Sequence, residues 1–429
     1  MRKATTRLNA GLLAGTTLVT AAMWSAGALA QEITVWSGYP ELGPFYEHVA
    51  EGMKADYPDL KVTVEPIALR EHERRVALEL ASGGGQALVL EMDAAIATRY
   101  IENGLLPVVP DEIAEFVTNG ENYVPFFANS GQFEGEVYGV PLFNSQVALY
   151  YNLDKFAAAG LTEPPATMEE YTEYAKKLTE RDANGNPVVS GWSLRLAGGG
   201  QGIAEKFWIN LHQFGGALLE QRGDGWIANY ANDAGVAALK QYLDLIYVDK
   251  TVTQEMPADA EAFEREQTAM FIRESWVIGD IAAKAPDLNY ATAPLPRGAI
   301  SLPNNLYVRA DGAEAEAAWA FVLAANEPDN LNWLLANVGW LPVRANVDYS
   351  EVINNTPGFA AFLDLPEDYE LFTLPSIGPI QEVLTRVAAT LTDLFGAPSA
   401  PSDDELLNIL QQMQDETNAI LSREGILAS

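Results

Sequence analysis

The fold is decided by residues 32–66, which read EITVWSGYPELGPFYEHVAEGMKADYPDLKVTVEP. The stretch begins with residues that alternate between two faces, with Ile33 and Val35 on one of them, and then reaches a Ser-Gly-Tyr-Pro turn, which predicts a β-strand. Apolar residues recur every four positions from Phe45 to Met53, as on one face of a helix. Alternation resumes between Leu60 and Val64. The stretch therefore predicts a β–α–β unit of a parallel sheet.

The same order of elements continues downstream. A helix from about Glu71 to Leu80 leads through a Gly-rich turn to an apolar strand at 87–90. A further helix begins at Thr167, which forms a capping box with Glu170, and a third follows Asp233. We find no internal repeat and no linker long enough to separate independent domains. The fold class is therefore α/β, and two lobes that share strands would explain the missing linker.

The first thirty residues, 1–30, are typical of an export signal peptide. Arg2, Lys3 and Arg7 precede an apolar run at 8–24, and Ala28-Leu29-Ala30 provides a small-x-small cleavage pattern. The alternative, a membrane anchor, is disfavoured because the run is short and interrupted by threonines. We expect cleavage after Ala30 and no later membrane span.

Composition excludes several classes of protein. The 429 residues include no cysteine, so we expect no disulfide and no lipidated N-terminal cysteine, which favours a protein free in the periplasm. With only His48, His72 and His212, a zinc site is excluded, and we expect no metal and no cofactor; carboxylate-only chelation, for example of calcium, stays open. The formal net charge of −33 disfavours nucleic acid and anionic lipid as partners.

Catalytic signatures are missing, which predicts that the chain is not an enzyme. The Gly-rich run at 198–202 lacks the Lys-Ser of a phosphate loop, so we interpret it as a flexible loop. The segment 182–187 resembles the start of a calcium loop, but proline occupies the sixth position, where glycine is needed, so a tight turn is the better interpretation. With 59 acidic residues, any pair of carboxylates could be proposed as glycosidase residues, so none carries weight.

The tryptophans are more informative, because flat aromatic rings bury the apolar face of a sugar. Those beside Gly or Pro at expected strand ends are Trp36, Trp192, Trp226, Trp276 and Trp340. Loops at strand ends are where open α/β sheets bind ligands. Trp319, in contrast, lies in an apolar helical run, and we expect it in the core.

Several segments in order resemble a known family. They are 135–141 (GEVYGVP), 149–156 (LYYNLDKF), 159–170 (AGLTEPPATMEE), 182–188 (DANGNPV), 268–276 (TAMFIRESW), 293–296 (APLP) and 339–344 (GWLPVR). Together they are similar to the extracellular solute-binding proteins of ABC importers, the family that includes maltose-binding proteins. The family often has Pro-Asp after the Gly-rich turn, whereas this chain reads Gln86-Ala87-Leu88. The role of that aspartate is therefore assigned to Asp93, the next aspartate in the chain.

The resemblance implies a fold and a function. The fold is the type II periplasmic binding protein fold: two α/β lobes joined by a multi-strand hinge, with the ligand in the cleft between them. One lobe would be 31–143 plus 303–344, and the other 144–302 plus 345–429. The implied function is to bind a sugar, oligosaccharide or polyol, as a monomer, and to deliver it to the membrane permease of an ABC importer. Hinge closure would require ligand contacts on both lobes.

Chain position and chemistry together nominate ligand-binding residues. They are Trp36, Tyr39, Asp93, Asn144, Arg195, Trp276, Trp340 and Arg344. Structural alternatives stay open: Asn144 as a hinge or turn residue, Asp93 as a helix N-cap, and Arg195 and Arg344 as members of ion pairs. The unassigned segment 191–202 is a candidate for a ligand loop specific to this subgroup.

Two other functions remain as hypotheses. The first is binding of an anionic solute, such as a glycerol phosphate or a sulfonated sugar, which would require Arg195, Lys206 or Arg344 in the cleft. The second, from a different class, is a secreted polysaccharide-active enzyme. Release of product from a sugar panel would favour the enzyme.

Overall fold

The computed structural model describes residues 32–83, 85, 88–310, 315–366 and 368–428. The predicted signal peptide, 1–30, and its cleavage after Ala30 lie outside the described residues. Within the described ranges, no helix is long and apolar enough to cross a membrane.

The N-terminal part forms the predicted parallel sheet. Strand β1 (Glu32–Ser37) lies between β2 (Lys61–Pro66) and β3 (Val89–Asp93), and both pairings are parallel. The crossovers are helices α1 (Gly43–Gly52) and α2 (Leu69–Ser82). Pro44 in the first turn of α1 needs no hydrogen-bond partner there, which suits a helix start. The predicted β–α–β–α–β order is confirmed.

Strand β3 ends later than its apolar run predicts. The pattern stops at Leu90 because Glu91 is acidic, but the strand continues to Asp93. Glu91 is buried, and its carboxylate accepts hydrogen bonds from the hydroxyls of Ser37 and Tyr46. A buried polar side chain is tolerated where it is hydrogen-bonded, and no local sequence pattern shows such distant partners.

Two long strands run through the middle of the molecule. Strand β6 (Gly139–Asn152) is buried along its whole length and pairs with β13 (Gly298–Val308) in antiparallel register. The far half of β6 instead pairs with β11 (Met270–Glu274) and β12 (Tyr290–Ala293). On its other side, β13 pairs with β3. One nine-stranded sheet thus extends from β2 to β11.

Two short strands complete this sheet: β14 (Leu341–Pro342) pairs with β6, and β15 (Glu370–Phe372) pairs with β13. The other strands form three two-stranded sheets: β4 (Gln132–Phe133) with β5 (Glu136–Val137), β7 (Glu180–Arg181) with β8 (Pro187–Val189), and β9 (Ala217–Arg222) with β10 (Gly225–Asn229). The helices are α3 (Ala94–Glu102), α4 (Asp111–Thr118), α5 (Pro125–Ser130), α6 (Leu153–Ala158), α7 (Met168–Leu178), α8 (Gln201–Gln213), α9 (Asp233–Leu243), α10 (Ala260–Glu264), α11 (Val277–Lys284), α12 (Glu316–Ala325), α13 (Pro328–Asn337), α14 (Ser350–Asn355), α15 (Ala360–Leu363), α16 (Ile380–Phe395) and α17 (Asp403–Arg423).

Apolar side chains form two large cores. The first core contains side chains of β1, α1, α12 and α13, and the second core contains those of α7, α8, α9 and α16. Strand β6 contributes Leu142 to the first core and Leu149 to the second, and β13 likewise contributes Leu306 and Ile300. The two central strands therefore pass from one core to the other. Trp319 lies in the first core, as predicted.

The start of helix α7 is set by a capping residue that the sequence identifies. The Thr167 hydroxyl accepts a hydrogen bond from the Glu170 amide at 3.2 Å, as the capping pattern predicts. The Glu170 carboxylate, however, accepts a hydrogen bond from the amide of Ala166 at 2.6 Å, and not from the amide of Thr167 that a complete capping box requires. After the helix, Asp182 accepts hydrogen bonds from the amides of Asn184 and Asn186, which confirms the tight turn.

Candidate ligand-binding site

An aromatic platform lies where β1 ends. The chain turns after Ser37 and presents Tyr39, whose ring meets that of Trp340 at 4.9 Å and 62° and that of Phe143 at 5.7 Å and 80°. Trp340 and Phe143 are buried, whereas Tyr39 keeps part of its surface exposed. The Tyr39 hydroxyl has only a long contact, 3.5 Å, to the Asn304 side chain. A partly exposed ring supported by two buried rings is suited to stacking on a flat apolar ligand face.

Asp93 lies at the end of β3, at the same edge of the sheet. Its Oδ1 accepts hydrogen bonds from the amides of Ala95 (2.8 Å) and Ile96 (3.2 Å), which confirms the N-cap alternative. Its Oδ2 accepts no hydrogen bond from the described residues, and no lysine or arginine among them pairs with it. Burial raises the pKa of Asp93 to about 7 despite the two amides. One oxygen holds the helix, and the other is free to accept from a ligand hydroxyl.

A network of charged side chains borders the second core. Strand β11 ends in Arg273 and Glu274, and Glu274 accepts from the Lys206 ammonium of α8 at 3.1 Å. Asp259 bridges two guanidinium groups, at 2.8 Å from Arg273 and 2.7 Å from Arg195. Burial by itself raises the pKa of Glu274, but the charges of Arg273 and Lys206 outweigh it and hold the pKa well below its usual value. Each cation of this network thus has a carboxylate partner.

Electrostatic interactions connect the two groups, and we call the region between them the cleft, with Tyr39 and Asp93 on the first-core side and Arg273 and Glu274 on the second-core side. Burial raises the pKa of Tyr39 well above its usual value. Nearby negative charges add to this effect, and they belong to both sides of the cleft: Glu91, Asp93, Glu274 and Glu205. Tyr39 is therefore close to groups that different cores position.

Among the described residues, Arg70 makes a direct bridge between the two sides. Arg70, at the start of α2, donates to Glu73 on its own helix at 2.8 Å. The same guanidinium reaches Gln201 at 3.3 Å and Glu205 at 3.4 Å, both on α8. This contact closes one edge of the cleft. The sequence offers no local signal for it, because Arg70 and Glu205 are ordinary helix-surface residues far apart in the chain.

Three of the remaining nominated residues have structural surroundings that limit their role. Asn144 is buried in β6, where its side-chain oxygen accepts a hydrogen bond from the Ser301 hydroxyl of β13 at 2.9 Å, close to the point at which β6 passes between the two cores. Arg195 lies on the second-core side and forms its predicted ion pair with Asp259. Trp276 packs against the first core, and the Arg273 guanidinium lies over its ring, 5.3 Å from the ring centroid.

Two nominated residues are not brought to the cleft surface. Trp36 is 2% exposed and packs under the Arg75 guanidinium at 4.4 Å, because both faces of a parallel sheet are covered. Arg344 donates to the Asn326 carbonyl and the Asn122 side chain, each at 2.8 Å, among helix ends on the first-core side. The ion pair expected for Arg344 is wrong, since no carboxylate of the described residues pairs with it.

Other tryptophans and hollows lie elsewhere. Trp192 is buried in the second core, and Trp226 lies in the β9–β10 hairpin beside Leu427. A cavity of about 820 Å³ forms a groove between α1, α4 and α12, which we call the outer groove. It lies away from the platform and from the charged network. No group of three or more His, Asp or Glu in the described ranges is placed to hold a metal ion.

Strands that pass between two cores, with polar and aromatic groups converging between them, define a two-lobed ligand-binding fold. Residues 49–361 match the family model of bacterial extracellular solute-binding proteins. The chain belongs to this family. It is 23% identical over 411 residues to a putative binding protein of Brucella abortus, which covers 92% of this chain and 96% of the relative. It is 26% identical over 249 residues to a diacetylchitobiose binding protein of Streptomyces coelicolor, covering 55% and 56%.

The GacH receptor of Streptomyces glaucescens, solved unliganded and with acarbose, shares the fold. It superposes with a TM-score of 0.78 and 21% identity, over 92% of this chain and 99% of the receptor. The type II periplasmic binding protein fold is therefore confirmed. The fold and family are those of binding proteins.

Proposed function

We propose that this chain is the substrate-binding component of an ABC importer and that it captures an uncharged sugar, oligosaccharide or polyol in the cleft. The family supports the importer role, and the ligand of the Streptomyces coelicolor relative supports a carbohydrate. The aromatic platform of Tyr39 and Trp340 supports it independently, because sugars expose an apolar face.

We infer an uncharged ligand from the way the charged side chains of the cleft are paired. Arg70, Arg195, Lys206 and Arg273 each contact a carboxylate. Glu41 and Asp93, in contrast, have no ion-pair partner among the described residues. An anionic solute would need an unpaired cation or would have to break one of these pairs, whereas hydroxyl groups can donate to carboxylates that have no cation partner. The anionic alternative therefore has less support.

The proposal also covers the division of the chain into lobes and the location of the protein. We assign 31–143 plus 303–344 to one lobe and 144–302 plus 345–429 to the other, since β6 and β13 pass between the two cores near Asn144 and Pro303. The protein acts as a monomer, free in the periplasm after removal of 1–30, and delivers its ligand to permease subunits. It performs no catalysis and binds no nucleic acid.

A ligand panel tests the function. The mature protein is titrated calorimetrically with maltose, maltotriose, N,N′-diacetylchitobiose, lactose, mannobiose and sorbitol, and separately with glycerol 3-phosphate. We expect micromolar or tighter binding of at least one uncharged compound, a raised melting temperature, and no product by chromatography. Binding of glycerol 3-phosphate alone would support the anionic alternative, and product release would support an enzyme.

The Arg70 bridge makes a separate prediction about closure. Replacing Arg70 with alanine removes the contact with Glu205 and Gln201, so the open form should gain population and the Kd for the bound sugar should rise about two- to fivefold, as for an exposed ion pair of about 0.2–1 kcal/mol. Small-angle scattering without ligand should show a larger radius of gyration. Arg74→Ala is the matched control, because Arg74 pairs only within its own helix with Glu71. Equal effects of the two variants would contradict a role in closure.

A further inference from the structure

A fully buried carboxyl group, that of Glu91, is hydrogen-bonded to the turn that carries Tyr39. Glu91 is 1% exposed, and its Oε2 accepts from the Tyr46 hydroxyl at 2.7 Å and the Ser37 hydroxyl at 2.7 Å. Its Oε1 has no hydrogen-bond partner within the described ranges. No lysine or arginine there pairs with Glu91. Burying a carboxyl group without a cation partner costs free energy, so we expect it to have a role that explains its presence at this position.

Ser37 connects this carboxyl group to Tyr39. The Ser37 oxygen lies 3.2 Å from both the amide nitrogen and the carbonyl oxygen of Tyr39. A hydroxyl group has one proton to donate. Because the shorter contact is with Glu91, the proton goes to the carboxylate, and a lone pair of the oxygen remains to accept from the Tyr39 amide. Without Glu91, the hydroxyl can rotate towards the Tyr39 carbonyl and its orientation is no longer fixed.

The surroundings keep the carboxyl group in place. His72 of α2 contacts the Glu91 carbonyl through Nε2 at 2.7 Å, and burial lowers the pKa of His72 to about 4, so the ring is neutral and donates. Burial raises the pKa of Glu91 to about 7, against the lowering effect of the Tyr46 and Ser37 hydroxyls and the Gly38 amide, and the charge of Glu41 adds to the increase. The groups that face Glu91 are thus the 37–39 turn, Tyr46 of α1, His72 of α2, and Glu41.

We propose that Glu91 is a positioning residue for ligand binding: through the Ser37 hydroxyl it fixes the backbone of Tyr39 and thereby the ring on which the ligand stacks. This inference rests on the proposed function for its effect on affinity. The effect on the Tyr39 backbone does not depend on any ligand. Tyr46 donates to the same oxygen of Glu91 but does not contact Tyr39 by hydrogen bond, so it separates positioning from simple stabilisation of the core.

The experiment compares Ser37→Ala, Glu91→Gln, Glu91→Leu and Tyr46→Phe. Amide hydrogen exchange without ligand is measured on the peptide that contains Tyr39, and the Kd is measured for maltotriose and N,N′-diacetylchitobiose. We expect Ser37→Ala and Glu91→Leu to exchange the Tyr39 amide about tenfold faster or more and to weaken sugar binding about 10- to 50-fold, as for a lost hydrogen bond to a charged group. Glu91→Gln, which keeps an acceptor, should stay within about fivefold of the parent.

Tyr46→Phe should lower the melting temperature but leave both the exchange of the Tyr39 amide and the Kd unchanged. If Glu91→Leu does not fold, the result for Ser37→Ala alone decides whether the proposal holds. Unchanged exchange in Ser37→Ala, or equal weakening by Tyr46→Phe, would overturn the proposal. If neither sugar binds the parent protein, the proposed ligand class fails, while hydrogen exchange still decides whether Glu91 fixes Tyr39.

Discussion

Replacing Tyr39 with alanine is expected to raise the Kd for the bound sugar by about 30- to 1000-fold, equivalent to about 2–4 kcal/mol, while the chain stays folded. Tyr39 provides the partly exposed ring of the platform, and the buried rings of Trp340 and Phe143 pack against it. Removing the ring deletes the stacking surface, and alanine leaves the ligand's apolar face against water. Calorimetric titration measures the change.

Two controls make this prediction specific. Tyr39→Phe keeps the ring and removes only a hydroxyl whose nearest partner is 3.5 Å away, so its Kd should stay within about fivefold of the parent. Tyr57→Ala removes an exposed tyrosine of the outer groove and should leave binding unchanged. Parent-like affinity in Tyr39→Ala would place the ligand somewhere other than the cleft.

Replacing Glu274 with alanine is expected to destabilise the fold by about 3–5 kcal/mol, the usual cost of breaking a buried ion pair. The side chains of Glu274 and Lys206 are each only 13% exposed. Without the carboxylate, Lys206 keeps a buried charge with no partner, whereas Arg273 still has Asp259. Urea unfolding at pH 7 gives the free energy of unfolding. The double variant Glu274→Leu, Lys206→Met should recover more than half of the loss, because it removes both charges.

The pH dependence gives the same prediction a second check. The pKa of Glu274 in the fold is below that in the unfolded chain, so the unfolded state binds the proton more readily. The stabilisation is therefore complete above the unfolded pKa of about 4.3 and is lost as the pH falls through the folded pKa. The difference in unfolding free energy between parent and Glu274→Ala should shrink below about pH 4. A constant difference from pH 7 to pH 3, or no loss at pH 7, would contradict the pairing.

The sequence predicts well those features that depend on neighbouring residues. Periodicity located β1 and α1, and Thr167 marked the start of α7. The family resemblance pointed to Asp93, and chain position and chemistry pointed to Tyr39; both residues follow strand ends of the same sheet. Trp36 was expected at the cleft surface because it lies near a strand end, but it is buried. Sequence alternation shows which residues share a face of a strand, and it does not show that helices cover both faces of this parallel sheet.

Features that depend on distant partners were not predictable in this way. Arg344 was nominated by its motif, but its guanidinium is held by an amide and a carbonyl from separate parts of the chain. Arg70 was not singled out, since its partner Glu205 lies on another helix and nothing near either residue indicates the other. Glu274 stands at a strand end close to Trp276, so the strand-end rule, applied to acids as well as to aromatics, would have found it.

The course of β6 also bears on how the chain folds. The first half of β6 joins the sheet of β1, β2 and β3 through its pairing with β13. Strand β13 is synthesised much later than β6, because many second-core elements lie between the two strands in the sequence. Pairings between segments so distant in sequence form slowly, because a long loop must close before any contact stabilises it. The N-terminal part of the nascent chain therefore lacks a strand that its sheet needs until residue 308 is available. Such a delay keeps a newly made chain unfolded for longer, the state in which a protein can be threaded through a narrow translocation channel.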